Sequence, residues 1–248
     1  MDLGLSGRTA IVLGASQGMG LAISEGLAAE GANVAMFSRR ADVIEREAAR
    51  VGGLAVAGDL TNAGDLDRLV TETLATFGGI DIVILNGGGP PPGLATSMTA
   101  ADVIAAVELL LVPHVRLVGL CLSHLRKSGR GRIVAIESTS VKEPIANLAL
   151  SNAVRPGVTG WLKTLARELG PDGITVNTIA PGRIDTERLH ALYGPGGPPP
   201  EVLALIPARR VGSPAEIAAA VCFLASEQAA YVSGVVIPVD GGMLNGLF

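Results

Sequence analysis

A glycine-rich turn between an apolar segment and a helical segment is the feature that most limits how this chain can fold. Residues 14–20 read Gly-Ala-Ser-Gln-Gly-Met-Gly, after the apolar run 9–13 and before the helical pattern 21–30. The three glycines permit a sharp exit from a strand, close approach of a diphosphate to the backbone, and packing of the helix on a sheet. The helix N-terminus would present unpaired N–H groups to phosphate. A plain strand-to-helix turn also uses glycine, but this context favours nucleotide binding.

Strand-like and helix-like segments alternate along the whole chain. The strand-like segments are continuously apolar, which is typical of a parallel sheet covered by helices on both faces. They span residues 9–13, 33–37, 54–57, 81–85, 131–136, 174–179 and 235–239. A long helix over 101–127 is expected to bend at Pro113. No linker divides the chain, so we predict an α/β fold with one doubly wound parallel sheet in a three-layer α/β/α sandwich, a single domain over residues 1–248.

Composition and charge exclude several classes of function. Hydrophobic residues make up 48% and charged residues 17% of the chain, which excludes disorder. The net charge of −4 argues against a nucleic-acid or anionic-membrane surface. Cys121 and Cys222 lie in apolar helical segments, so neither a metal site nor a disulfide framework is expected. We expect no signal peptide and no apolar run of membrane-spanning length, and we predict a cytoplasmic location.

Four further motifs follow the glycine turn in order. They are Asn86-Gly87-Gly88 after the fourth strand, Ile136-Glu137-Ser138 at the end of the fifth, Pro181-Gly182-Arg183-Ile184-Asp185-Thr186 after the sixth, and residues 233–242 near the C-terminus. With these motifs the chain resembles the short-chain dehydrogenase/reductase family, in particular its 3-oxoacyl-acyl-carrier-protein-reductase-like members. The resemblance covers nearly the whole chain and implies a Rossmann-type sheet that binds NAD(P)(H).

The resemblance also implies which residues contact the cofactor. The diphosphate would lie against Gly14, Ser16, Gln17, Gly18, Met19 and Gly20. The adenosine end would meet Asp59, Leu60, Asn86 and Gly87, and the nicotinamide end Pro181, Gly182, Ile184 and Thr186. Two of these residues have other interpretations: Asn86 as a turn stabiliser and Asp59 as a helix cap.

The end of the second strand decides between the two nicotinamide cofactors. NAD-preferring relatives carry an acid there, which binds the ribose 2′-hydroxyl and repels a 2′-phosphate. This chain has Ser38, followed by Arg39 and Arg40. A guanidinium suits a phosphate dianion, so NADP(H) is predicted as the preferred cofactor, with NAD(H) possible. A solvated basic turn is the alternative.

The chain departs from the family at the catalytic residues. The resemblance implies a set of asparagine, serine, tyrosine and lysine; aligned positions here are Leu110, Ser138, Ser151 and Arg155. Only the serine is retained. Arg155 can still bind a ribose hydroxyl, but the Ser151 hydroxyl is a far weaker acid than a phenol. We therefore keep Ser138, Ser151 and Arg155 as candidate catalytic residues.

Two functions follow from this departure. The first is an NADP(H)-dependent carbonyl reductase or alcohol dehydrogenase with another proton donor. Candidates for that donor are Lys142, His190, Tyr193, or a water held by Ser151 and Arg155. The second is a catalytically inactive NADP(H)-binding protein, such as a sensor or an assembly subunit. We favour the enzyme, because the loop that would contact the nicotinamide is intact.

The remaining expectations concern substrate and assembly. Residues 187–212, rich in glycine and proline, predict a mobile substrate lid. No charged anchor is evident, which indicates a neutral or weakly polar small-molecule substrate. His114 and His124 are interpreted as ordinary helix residues. Apolar helices and family resemblance together predict a homotetramer or homodimer.

Overall fold

Seven short strands form one parallel sheet in the computed structural model, which describes residues 2–247. The strands are β1 (Thr9–Leu13), β2 (Asn33–Ser38), β3 (Leu54–Ala57), β4 (Ile82–Leu85), β5 (Arg132–Ile136), β6 (Thr175–Pro181) and β7 (Val236–Val239). Their order across the sheet is β3-β2-β1-β4-β5-β6-β7, and all pairs are parallel. The order reverses beside β1, which opens a crevice at the carboxyl ends of β1 and β4. The predicted doubly wound sheet is confirmed.

Helices cover both faces of the sheet. They are α1 (Gly18–Ala29), α2 (Ala41–Val51), α3 (Ala63–Phe77), α4 (Ala100–Leu110), α5 (Val112–Ser128), α6 (Ala149–Leu169), α7 (Glu187–Tyr193), α8 (Pro200–Leu203) and α9 (Pro214–Ala225). Along β1, Ile11 and Leu13 enter the core shared with α3 to α6, whereas Ala10 and Val12 enter the core shared with α1, α2 and α9. This alternation follows from the two-residue period of a strand, and it explains why β1 is apolar on both faces.

The predicted long helix is two helices. α4 ends at Leu110 and α5 begins at Val112, with Pro113 in its first turn. Proline is tolerated there because its missing N–H would have no helical partner, whereas inside a continuous helix it would break a hydrogen bond.

The α4–α5 segment also corrects an expectation about hydropathy. Ala100–Ser128 is long and apolar enough to span a membrane, because an 18-residue stretch within it has a mean hydropathy of 1.9, although no such run was expected. It packs as a core element: Leu110, Leu117 and Cys121 are buried against the sheet. Its outer side chains Ile104 and Val115 stay exposed. The segment therefore supplies both core contacts and an apolar outer surface.

The predicted lid has more regular structure than its sequence indicates. Residues 187–212 contain α7 and α8, both of which the sequence analysis missed. The two ends of the segment are joined by backbone hydrogen bonds from Gly212 N–H to the Arg183 carbonyl (2.9 Å) and from Asp185 N–H to the Gly212 carbonyl (2.8 Å). The segment is thus a loop whose two ends are held together, and its role as a mobile substrate lid stays a prediction.

Candidate active site

The glycine turn has the geometry that its sequence predicts. Gly14 and Gly18 have φ values of +61° and +55°, a region that favours glycine. A Cβ atom at position 20 would lie 2.1 Å from the carbonyl oxygen of Gly14, so no side chain fits there. α1 begins at Gly18, directly after the turn. The first amides of a twelve-residue helix therefore lie at the carboxyl end of β1.

A cleft of about 820 Å³, which we call the glycine cleft, runs along this turn. It is lined by the predicted residues Gly14, Ser16, Gln17, Gly18, Met19, Gly20, Ser38, Arg39, Asp59, Leu60, Asn86, Gly87 and Thr186. Several of the lining residues are glycines, which leave backbone groups open to a ligand. These residues fit a dinucleotide: the turn would hold the diphosphate, and the β2 end would hold the adenosine ribose.

Arginine side chains edge the adenosine end of the cleft. Arg39 and Arg40 both line it and are exposed, and an Arg40 guanidinium nitrogen donates to the Gln17 side-chain oxygen. Ser38 is buried, and its hydroxyl has no hydrogen-bond partner within residues 2–247. The β2 end therefore presents positive charge, as a 2′-phosphate would require.

Asn86 makes the local contact that its alternative interpretation anticipates, whereas Asp59 is not the helix cap that was its alternative. The Asp59 carboxylate accepts the Thr61 N–H at 2.9 Å, and its hydrogen bonds with Thr61 lower the pKa of Asp59. Asn62, not Asp59, caps α3. The Asn86 amide donates to the Leu13 carbonyl at 3.0 Å and so ties the end of β4 to the end of β1. Asn86 thus shapes the cleft that it lines.

A second space, the serine cavity, adjoins the glycine cleft and encloses about 540 Å³. Both are lined by Met19, Asn86, Gly87 and Thr186. The serine cavity adds the predicted residues Ser138, Ser151, Arg155, Pro181, Gly182 and Ile184. The structure therefore brings the three candidate catalytic residues together, next to the proposed nicotinamide end of the cleft.

Hydrogen bonds fix the two serines of this cavity. The Ser138 oxygen, directly after β5, accepts the Ser140 N–H at 3.1 Å. The Ser151 oxygen, in the first turn of α6, lies 3.0 Å from the Ser140 oxygen and is buried. Ser138 keeps its own proton to donate into the cavity, and the Ser151 hydroxyl is hydrogen-bonded to that of Ser140, with either oxygen able to act as the donor.

Arg155 has a partner that the sequence analysis missed. Its Nη1 donates to Glu137 Oε2 at 2.9 Å and its Nη2 to the Gly88 carbonyl at 3.2 Å. The Glu137 side chain is 0% exposed, and its Oε1 has no hydrogen-bond partner in the described part of the chain. Burial raises the pKa of Glu137, and Arg155 opposes that effect. The sequence signal that could have revealed this partner is the position of Glu137, an acid directly after the apolar residues of β5.

The candidate proton donors differ in position. Lys142 is exposed and does not line the serine cavity, so we remove it from the candidates. His190 lies outside the cavity, with its Nε2 2.8 Å from an Asp185 carboxylate oxygen. Tyr193 does line the cavity. The tyrosine and a water held near Ser151 and Arg155 therefore remain.

His114 is not the ordinary helix residue that was expected. It is 1% exposed, and neither ring nitrogen has a hydrogen-bond partner among residues 2–247. Its Nε2 would lie 3.9 Å from a Cβ atom on Gly87, which places the ring beneath the cleft. Burial, assisted by the positive charge of Arg155, lowers the pKa of His114 to about 3. The imidazole is therefore neutral at physiological pH.

Two arginines correct the expectation that no charged anchor lines the substrate site. Arg183 and Arg188 both contribute to the wall of the serine cavity. Arg183 lies over the ring of Tyr193, with 5.9 Å between the guanidinium carbon and the ring centroid. Arg183 lies in the loop after β6 and Arg188 in α7, and the sequence gave no signal for the direction of either side chain.

Comparisons with known proteins agree with this geometry. Residues 14–244 match the family model described as enoyl-(acyl carrier protein) reductase. The 3-oxoacyl-[acyl-carrier-protein] reductase MabA of Mycobacterium tuberculosis (strain ATCC 25618 / H37Rv) is 36% identical over 95% of this chain and 92% of its own. The 3-oxoacyl-[acyl-carrier-protein] reductase FabG of Vibrio cholerae is 36% identical over 97% of this chain and 99% of its own.

Solved structures show the same architecture. The NADPH-dependent reductase YwfH, involved in bacilysin biosynthesis, has a TM-score of 0.92 and 30% identity, over 97% of this chain and 99% of its own. L-sorbose reductase from Gluconobacter frateurii, complexed with NADPH and L-sorbose, has a TM-score of 0.93 and 32% identity over the full length of both chains.

Proposed function

Because the chain belongs to the short-chain dehydrogenase/reductase family, and is on that ground an NAD(P)-dependent oxidoreductase, we propose that it reduces a carbonyl compound with NADPH through a non-standard catalytic set. The observation that carries the proposal is that Ser138 and Arg155 line a cavity continuous with the glycine cleft. NADPH is preferred over NADH because Arg39 borders the place where its 2′-phosphate would lie. The NADPH dependence named for the two structural neighbours supports the same choice.

Ser138 is the group that would polarise the substrate. NADPH, when bound, supplies the hydride. The Ser138 oxygen accepts the Ser140 N–H at 3.1 Å, so its own O–H is free to donate to a substrate carbonyl oxygen in the cavity. A donor that is already oriented in this way stabilises the negative charge that develops on that oxygen.

Arg155 would act on the same side of the cavity as a fixed positive charge. One nitrogen is held by Glu137 and another by the Gly88 carbonyl, so the guanidinium cannot rotate freely. Its remaining N–H groups would donate to a ribose hydroxyl or to the oxygen on which negative charge develops. Unlike lysine, arginine does not lose its proton in a protein, so Arg155 orients and stabilises rather than exchanges protons. The proton itself comes from Tyr193 or from a water held by Ser151 and Arg155.

A catalytically inactive NADP(H)-binding protein is the second candidate function. It is favoured by one observation: the position aligned with the family tyrosine is Ser151, whose hydroxyl is engaged by Ser140 and is a weak acid. Two measurements separate the candidates: calorimetric affinity for NADPH, and NADPH oxidation with a panel of ketones and aldehydes. Turnover with any panel member supports the reductase. Tight binding without turnover supports the inactive protein.

The proposal extends to assembly and location. The exposed side chains of Ile104, Val112 and Val115 make the outer surface of α4 and α5 apolar, and a second copy of the chain would cover it in a homodimer or homotetramer.

We place the protein in the cytoplasm. Cys121 and Cys222 are both free and buried, as is usual for a protein of a reducing compartment.

A further inference from the structure

The serine cavity carries more positive than negative charge. Three arginines contribute to its wall, Arg155, Arg183 and Arg188, and Glu137 is the one acidic residue among its lining residues. Glu137 is already paired with Arg155. The other two guanidinium groups make no salt bridge with a carboxylate of residues 2–247. The cavity therefore holds two positive charges without an anionic partner.

Arg183 is the better placed of the two for a ligand. It follows β6 directly, and its Nε is buried without a hydrogen-bond partner in the described chain. Two acids, Glu216 and Asp240, share a small side pocket with it. Glu216 is bound by Arg210, and the Asp240 carboxylate accepts backbone N–H groups at 2.9 and 2.8 Å. Neither acid forms a salt bridge with Arg183.

Arg188 adds the second charge at the junction between the two spaces. It lines both the serine cavity and the glycine cleft. Its guanidinium lies against Gly89, and its Nη2 donates to the Pro90 carbonyl at 3.4 Å. These contacts position the group but leave its charge uncompensated.

We propose that the substrate is a carbonyl compound that carries a carboxylate, bound by Arg183 with Arg188 as a second positive charge. This substrate class rests on the reductase function proposed above. A guanidinium presents a planar fork of N–H donors that matches a carboxylate. The apolar side chains of Ile145, Leu148 and Leu192 line the same cavity and would contact the carbon chain between the carbonyl and the carboxylate.

The test uses linear oxo acids and their uncharged methyl esters. The probes are 4-oxopentanoate, 5-oxohexanoate and 6-oxoheptanoate, assayed with NADPH for kcat/KM and titrated by calorimetry against the NADP⁺-loaded protein. The variants are Arg183→Gln and, as a matched charge control, Arg167→Gln, which changes an exposed residue near the end of α6. We expect at least one acid to be favoured over its ester by about tenfold or more, and this preference to be lost in Arg183→Gln but kept in Arg167→Gln.

The binding arm separates this inference from the proposed function. If no probe is reduced but an acid binds the parent and not Arg183→Gln, the carboxylate site stands while the reductase proposal fails. If esters bind and react as well as acids in the parent, the inference is overturned. It is equally overturned if Arg183→Gln keeps the preference of the parent for the acid. Glycerone phosphate tests whether the substrate carries a phosphate instead of a carboxylate. If glycerone phosphate binds the parent but not Arg183→Gln, and no oxo acid binds, the carboxylate assignment is overturned.

Discussion

Arg155 and Glu137 form an ion pair with an N–O distance of 2.9 Å, in which the two side chains are only 8% and 0% exposed. Arg155 stands where the family resemblance expects a lysine, and Glu137 directly precedes Ser138 in the chain. A buried guanidinium cannot escape its desolvation cost by losing a proton, so it needs a carboxylate nearby. The pair explains how an arginine is tolerated at this position and why its direction is fixed.

Removal of Glu137 should therefore destabilise the protein strongly. Glu137→Ala leaves Arg155 buried without its partner, and we expect a loss of about 3–5 kcal/mol in the free energy of unfolding. The double variant Glu137→Met with Arg155→Met removes both charges and should lie close to the parent. Urea unfolding, with all proteins at one fixed concentration, measures the free energy of unfolding of the single and the double variant. A Glu137→Ala variant as stable as the parent would contradict the structural role of the pair.

His114 should make stability depend on pH below neutrality. Its pKa is lowered from 6.5 to about 3 in the folded protein, so the unfolded chain binds a proton that the folded chain does not. Stability is therefore highest above pH 6.5 and falls by about 1.4 kcal/mol per unit as pH drops below it.

The matching experiment compares unfolding at pH 7 and pH 5. The parent should lose roughly 2 kcal/mol more than His114→Leu over this interval. His124→Leu, on the same helix and partly exposed, is the control and should behave as the parent. Equal pH slopes in the parent and in His114→Leu would show that His114 is not held neutral by burial.

Arg39 should set the preference between the two nicotinamide cofactors. A charge-assisted contact with the 2′-phosphate contributes about 1.5–3 kcal/mol, so Arg39→Ala should weaken NADPH binding roughly 10- to 100-fold and leave NADH binding nearly unchanged. Arg46→Ala, an exposed change on α2 that does not line the cleft, is the control. Calorimetry gives both affinities. Equal losses for the two cofactors would remove Arg39 from the 2′-phosphate site.

The outer surface of α4 and α5 should lie in a contact between copies of the chain. Light scattering at micromolar concentration should show that the parent is a dimer or tetramer. Val115→Asp should shift the oligomer towards the monomer, because a charge at a buried apolar contact is costly. Glu72→Lys on α3, an exposed polar position, serves as the control. A monomeric parent would refute the assembly.

Much of the fold was predictable because its signals are local. The apolar runs of β1 and β4 and the glycines at 14, 18 and 20 each constrain their own segment. The candidate site was predictable only where it repeats a family motif. The contact between Glu137 and Arg155 joins residues 18 positions apart, and only the tertiary fold, which places α6 beside the segment after β5, brings them together. The inward direction of Arg183 and the helix α7 likewise depend on how the loop after β6 closes.

The central claim is that the protein transfers hydride to a carbonyl carbon although the family tyrosine is absent. The most direct measurement incubates the protein with NADPH that carries deuterium at both C4 positions and a panel of ketones, oxo acids and aldehydes, and analyses the products by mass spectrometry. We predict an alcohol that carries one deuterium, formed by the parent and formed about 100-fold more slowly by Ser138→Ala, with unchanged NADPH affinity. NADPH that binds but delivers deuterium to no member of the panel would contradict the account.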